Sequence, residues 1–135
     1  MSHLARNKVE GLDESKVNFE IVGKAIDLME RALLGHKTTD LISYNAVKKC
    51  KGIGFIMNGS TYGIDLYMDG GKLVQEAESM AHEYDHGGAF HREFQKAYTA
   101  TAVRSYIQGA GYAVGEPAIK GKAKNKEYEY VGMGF

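Results

Sequence analysis

Between Gly52 and Glu78 the chain alternates apolar and polar residues and reverses twice within a few positions, which leaves no length for a helix to cross between its strands. Ile53, Phe55 and Met57 share one side of a strand predicted over 52–57, and Asn58-Gly59-Ser60-Thr61 then turns the chain. Beyond the turn Tyr62, Ile64, Leu66 and Met68 alternate with Gly63, Asp65 and Tyr67, the period of a half-buried strand. Asp69-Gly70-Gly71 is the second reversal and leads into a strand over 72–78. Strands joined this tightly pair antiparallel, so the centre of the fold is expected to be a meander and not a parallel βαβ sheet.

Helical periodicity flanks the meander. Val22, Ala25, Ile26, Met29, Ala32 and Leu33 recur at spacings of three and four, which predicts a helix over about 16–34, capped by Asp13 or Ser15 and stopped by Gly35. Phe90, Phe94, Ala97, Tyr98 and Thr101, extended by Val103, Tyr106 and Ile107, predict a second helix that ends at Gly109-Ala110-Gly111. Residues 2–9 suit a first strand, 41–44 a short one, and 112–119 with 127–133 a closing hairpin. The order β-α-β-β-β-α-β-β predicts one α+β domain over 1–135: a two-layer sandwich, its sheet mainly antiparallel, with two helices on one face.

The 17 basic and 17 acidic side chains cancel, so no global field draws the protein to nucleic acid or to an anionic membrane, and such binding would need a local patch. No apolar run approaches the roughly 20 residues that cross a bilayer, so no membrane partner is expected. The single cysteine, Cys50, cannot close an intramolecular disulfide, and the amino terminus has no basic-then-apolar leader. A cytoplasmic protein is the expectation.

Three segments carry candidate chemistry. His82-Glu83-Tyr84-Asp85-His86 spells H-E-x-x-H, in which two histidines one helical turn apart hold Zn²⁺ while the glutamate, here Glu83, polarises a bound water. Gly87-Gly88 breaks the helix that such a site needs, and the longer zinc-protease pattern fails by one residue at Gly88 and His91, leaving His82, His86 and His91 as a looser metal set. The tip Lys120-Gly121-Lys122-Ala123-Lys124-Asn125-Lys126 lies beside Tyr128 and Tyr130, a pattern in which lysines neutralise phosphates and rings stack bases; a solubilising hairpin tip is the plainer reading. Cys50 stands among Lys48, Lys49 and Lys51, whose charge would favour a thiolate, with no base assigned to it. Gly52-x-Gly54 is too short for a phosphate loop.

The opening Met1-Ser2-His3-Leu4, the strand Tyr62-Gly63-Ile64-Asp65-Leu66 and the helix pattern Phe90-x-x-x-Phe94-x-x-x-Tyr98 ending at Gly111-Tyr112 resemble the conserved chloroplast reading-frame thirty-five family (domain of unknown function 1257), met in plastids, bacteria and bacteriophages. Lys96, where that family commonly has Gln, and the absence of tryptophan depart from its pattern. The resemblance implies an α+β fold in an intracellular, bacterial or phage setting and no particular chemistry. The expectation is therefore a small cytoplasmic non-enzymatic binding or accessory protein without a cofactor, self-associating into a homo-oligomer through an edge strand over 127–133. The alternatives are a zinc-dependent hydrolase on His82, Glu83 and His86, and a nucleotide or nucleic-acid binder on Lys120, Lys122, Lys124, Lys126, Tyr128 and Tyr130.

Overall fold

The two glycine turns form as expected, with Gly59, Gly70 and Gly71 all at positive φ, and the meander between them is the middle of the molecule. A computed structural model describes residues 4–8, 16–43, 46–60, 62–78, 89–123, 125–130 and 133–134. In chain order its elements are β1 (Leu4–Lys8), α1 (Phe19–Arg31), β2 (Gly35–Ile42), β3 (Val47–Met57), β4 (Ile64–Asp69), β5 (Lys72–Glu78), α2 (Ala89–Gly109), β6 (Ala118–Lys122), β7 (Asn125–Tyr130) and β8 (Met133–Gly134). β1 to β5 make an antiparallel sheet in the order β1-β5-β4-β3-β2, and β6-β7-β8 make a second one. The α+β class holds, while the closing hairpin stands in a sheet of its own beside α2 instead of joining the meander.

Period-2 and period-3.6 patterns meet in one core. Phe55, Met57, Ile64, Leu66, Leu73 and Ala77 come from alternate positions of β3, β4 and β5, and they pack with Val22, Ala25, Ile26 and Met29 of α1 and Phe90, Phe94 and Ala97 of α2. Both helices therefore cover one face of the five-stranded sheet. Phe90 stacks on Phe94 at 5.7 Å between ring centres, and Phe94 meets the Tyr98 ring at 6.0 Å. Tyr106, expected to extend this apolar surface, points away from it and is 80% exposed.

The ends of α1 differ from expectation. Asn18 caps it, with Oδ1 accepting from the Glu20 amide at 2.9 Å, three residues or more beyond the expected caps. At the other end the Leu34 amide reaches back to the Met29 carbonyl at 3.1 Å and Leu33 takes the left-handed conformation, φ 61°, that Gly35 was expected to supply. Gly35 opens β2 instead. A Cβ there would lie 2.1 Å from the Ile56 carbonyl oxygen, so the glycine serves the close approach of β2 to β3.

The same constraint explains Gly52 and Gly54. Thr38 pairs with Gly54 and Asp40 with Lys49, so Cys50, Lys51, Gly52 and Ile53 stand opposite Thr39 alone, a wide bulge in β3. A Cβ on Gly52 would meet the Leu66 carbonyl at 2.1 Å, and one on Gly54 the Thr38 carbonyl at 2.4 Å and the Cys50 sulfur at 2.6 Å. The bulged amides of Lys51 and Gly52 leave the sheet pairing and donate to the buried Asp65 carboxylate at 2.7 and 3.1 Å.

Candidate functional site

The expected sites fare unequally. His82, Glu83 and His86 lie outside the described residues. His91 opens the first turn of α2, half-buried, its ring edge-on to Phe90 at 5.9 Å. No group of three His, Cys, Asp or Glu that could hold a metal occurs among the described residues.

The lysine tip forms as the β6–β7 turn, with Lys124 outside the described residues. Tyr128 and Tyr130, expected as stacking platforms, are instead buried against α2; the Tyr130 hydroxyl donates to the Ala100 carbonyl at 2.9 Å. Alternation puts both tyrosines on one face of β7, and the packing of that face on α2 buries them, since they are the only large apolar side chains of the strand. Lys120 pairs with Glu129 at 2.6 Å, and the Lys126 amide donates to the buried Glu93 carboxylate, also at 2.6 Å. Lysines remain at this tip, but no aromatic surface does. The expected edge at 127–133 is also altered, since β7 is the middle strand of its sheet.

Cys50 is half-buried in the β3 bulge, and burial, with Asp65 and Asp40 nearby, pushes its thiol up to about 11 against the weaker pull of Lys48. The lysines adjacent in sequence therefore do not make it a thiolate, because Lys48 is drawn to Glu76 at 2.5 Å and Lys49 to Asp40 at 3.1 Å. Glu76 is itself 3% exposed and gathers Lys48, Lys51 at 3.6 Å and the Tyr67 hydroxyl at 2.7 Å. Burial works against its charge, but the bonds from Lys48 and Tyr67 outweigh that and hold the carboxyl below its ordinary range.

A site of different character is a cleft, open to solvent and of about 490 Å³, where α1, α2 and the irregular segment before β6 meet. Arg31, in the last turn of α1, and Arg104, on α2, converge there on Glu116. Arg31 donates to Oε2, and Arg104 Nη1 donates to Oε1 at 2.7 Å, so each carboxylate oxygen takes one guanidinium. Arg104 is fixed a second time, its Nε donating to the Val114 carbonyl at 3.2 Å. Lys24, Asp27, Leu28, Thr101, Ser105, Gln108, Pro117 and Tyr130 complete the walls.

Charge is unbalanced in this cleft. Asp27 is turned to Lys37 at 2.5 Å and Lys24 to Glu20 at 3.5 Å, which leaves Arg31, Arg104 and Glu116, two cations on one carboxylate. The Arg31 hydrogen bond, opposed by slight burial and helped by Arg104, keeps the Glu116 carboxyl below the usual glutamate range. Glu116 is 57% exposed and Arg104 only 28%, so the cation is set in the wall and its partner stands at the mouth. None of these three positions carries a motif, and α1 and the segment after α2 meet only in the fold. Comparisons of the chain with models of protein families, with curated proteins and with solved structures found no match.

Proposed function

We propose that the protein is a small non-enzymatic binding protein whose ligand is a compact anion seated in the cleft between α1 and α2. The observation that carries this reading is the pair Arg31 and Arg104, two guanidiniums sharing one exposed carboxylate. Arginine forks suit carboxylate and phosphate oxygens, and one positive charge is left over in a cleft large enough for a small metabolite. Two charge-assisted hydrogen bonds of roughly 1.5–3 kcal/mol each correspond to a Kd of tens of micromolar to millimolar. Catalysis finds less support: the one thiol is held protonated near neutrality by its burial.

Titration calorimetry at low ionic strength with inorganic phosphate and with malonate tests the reading. Saturable binding to the native protein, reduced at least tenfold by Arg104→Ala, is the expected result. Absence of saturable binding for both anions rejects it.

A second reading, the zinc-dependent hydrolase on His82, Glu83, His86 and His91, draws on one observation: His91 Nδ1 is buried with no hydrogen-bond partner among the described residues. Native mass spectrometry reports metal, small ligand and subunit number together. One Zn²⁺ per chain, lost on substituting His82 and His86 by Ala, would rank this reading first.

A further inference from the structure

We infer, resting on the reading of the α1/α2 cleft as an anion site, that the ligand carries a carboxylate or phosphoryl group that takes the position of the Glu116 carboxylate, so that Glu116 is a built-in competitor for it. The present occupancy shows what the site recognises. Two oxygens on one atom are each met by a different guanidinium, Oε2 by Arg31 and Oε1 by Arg104, which is a geometry a free carboxylate or phosphate reproduces without rearranging either arginine.

Three further features make the exchange workable. Glu116 stands on residues 112–117, which form neither helix nor strand, and its side chain is more than half exposed. Val114 anchors that segment, accepting from Arg104 Nε at 3.2 Å and from Gln108 Nε2 at 3.4 Å, so Glu116 can rotate out while the backbone stays in place. Arg104 keeps the Val114 bond after Glu116 has left, and its guanidinium stays aimed into the cleft. With the carboxylate gone, the two guanidiniums present two positive charges, which a dianion balances and a monoanion does not. Phosphate at neutral pH and malonate meet that condition, and chloride does not.

The test uses the full chain and its Glu116→Gln variant, titrated with inorganic phosphate, malonate and chloride while amide chemical shifts are recorded. Because Glu116 competes only in the state in which it occupies the arginines, its removal should tighten phosphate or malonate binding by roughly threefold to tenfold. Arg104→Ala should weaken binding at least tenfold in both backgrounds, and chloride should not saturate. The arms also separate the two ligand classes, since the tighter of phosphate and malonate names the headgroup. Glu127→Gln removes the same charge at an exposed position of β7 and should leave affinity unchanged. An equal gain from that variant would reduce the effect to net charge and overturn the inference. If the native chain binds and Glu116→Gln binds no better, the competitor role fails while the cleft reading survives; if neither chain binds, both fall.

Discussion

Two groups of charged side chains, each built from carboxylates and cations, are treated in opposite ways by this fold. Around the β3 bulge Asp65 and Glu76 are withdrawn from water, and their oxygens are spent on the Lys51 and Gly52 amides, on Lys48 and Lys51, and on the Tyr67 hydroxyl. At the α1/α2 cleft Glu116 stands mostly in solvent and one carboxylate serves two arginines. The first arrangement is costly to open, because a buried carboxylate without its donors carries its full desolvation penalty. The second is cheap, because exposed ion pairs contribute about 0–1 kcal/mol. Charge alone does not mark a functional site. What distinguishes the cleft is that its carboxylate stands in solvent, outside the core, so that its loss leaves no buried group without a partner.

Four substitutions put that contrast at risk, beginning with the frame both groups depend on. Phe94 is fully buried and stacked on Phe90, so Phe94→Ala should lower stability by about 3–5 kcal/mol in a denaturant titration. A melt left unchanged would mean that α2 does not carry the core, and with it the placement of Arg104 would fall. Next, Asp65→Ala leaves two bulge amides without an acceptor and should cost about 2–4 kcal/mol, with hydrogen exchange accelerated first at Lys51 and Gly52.

Glu76→Gln should cost about 1–2 kcal/mol at neutral pH, less than a fully buried ion pair would, since Lys48 and Lys51 are half-exposed and can rehydrate. Its folded-state carboxyl is held below the ordinary value, so that advantage is complete above the unfolded glutamate range near about pH 4.3 and disappears as pH falls through the folded value. Stability curves of native and variant chains measured from neutral pH downward should therefore converge only in acid. Smallest of all, Glu116→Gln should change stability by less than about 1 kcal/mol. If it costs as much as Asp65→Ala, the cleft is a structural clasp and the contrast collapses.

What could be read from the residues alone follows how local each feature is. Asn58 to Thr61 and Asp69 to Gly71 are reversals decided by neighbouring residues, and they follow one another too closely for a helix to cross between the strands, so the meander and its antiparallel sense were visible. The stripes of α1 and α2 were visible for the same reason. Leu33 was not foreseen as the left-handed stop, because Gly35 is the better residue for that conformation and the demand that displaced it comes from Phe55 and Ile56, twenty or more residues away. Tyr128 and Tyr130 show the same limit: alternation puts them on one face of β7 but does not say whether that face meets water or α2. The cleft was least legible, since Arg31 and Glu116 are 85 residues apart and no local pattern links them.

The fate of the β7 edge bears on how the molecule behaves when crowded. A strand invites growth of cross-strand assemblies when it shows a row of amides with nothing to bind. Here β6 occupies one side of β7, and on the other β8 pairs with Glu129 and Tyr130 while the Lys126 amide is taken by Glu93, with Lys96 Nζ reaching the Lys126 carbonyl. The outer strands of this sheet are β6 and the two-residue β8, and along β6 Lys120 and Lys122 are exposed, so a second copy adding there would have to bring its own lysines against them. At this end of the chain the lysines set a charge penalty on strand addition at β6, while the two tyrosines of β7 stay turned into the core.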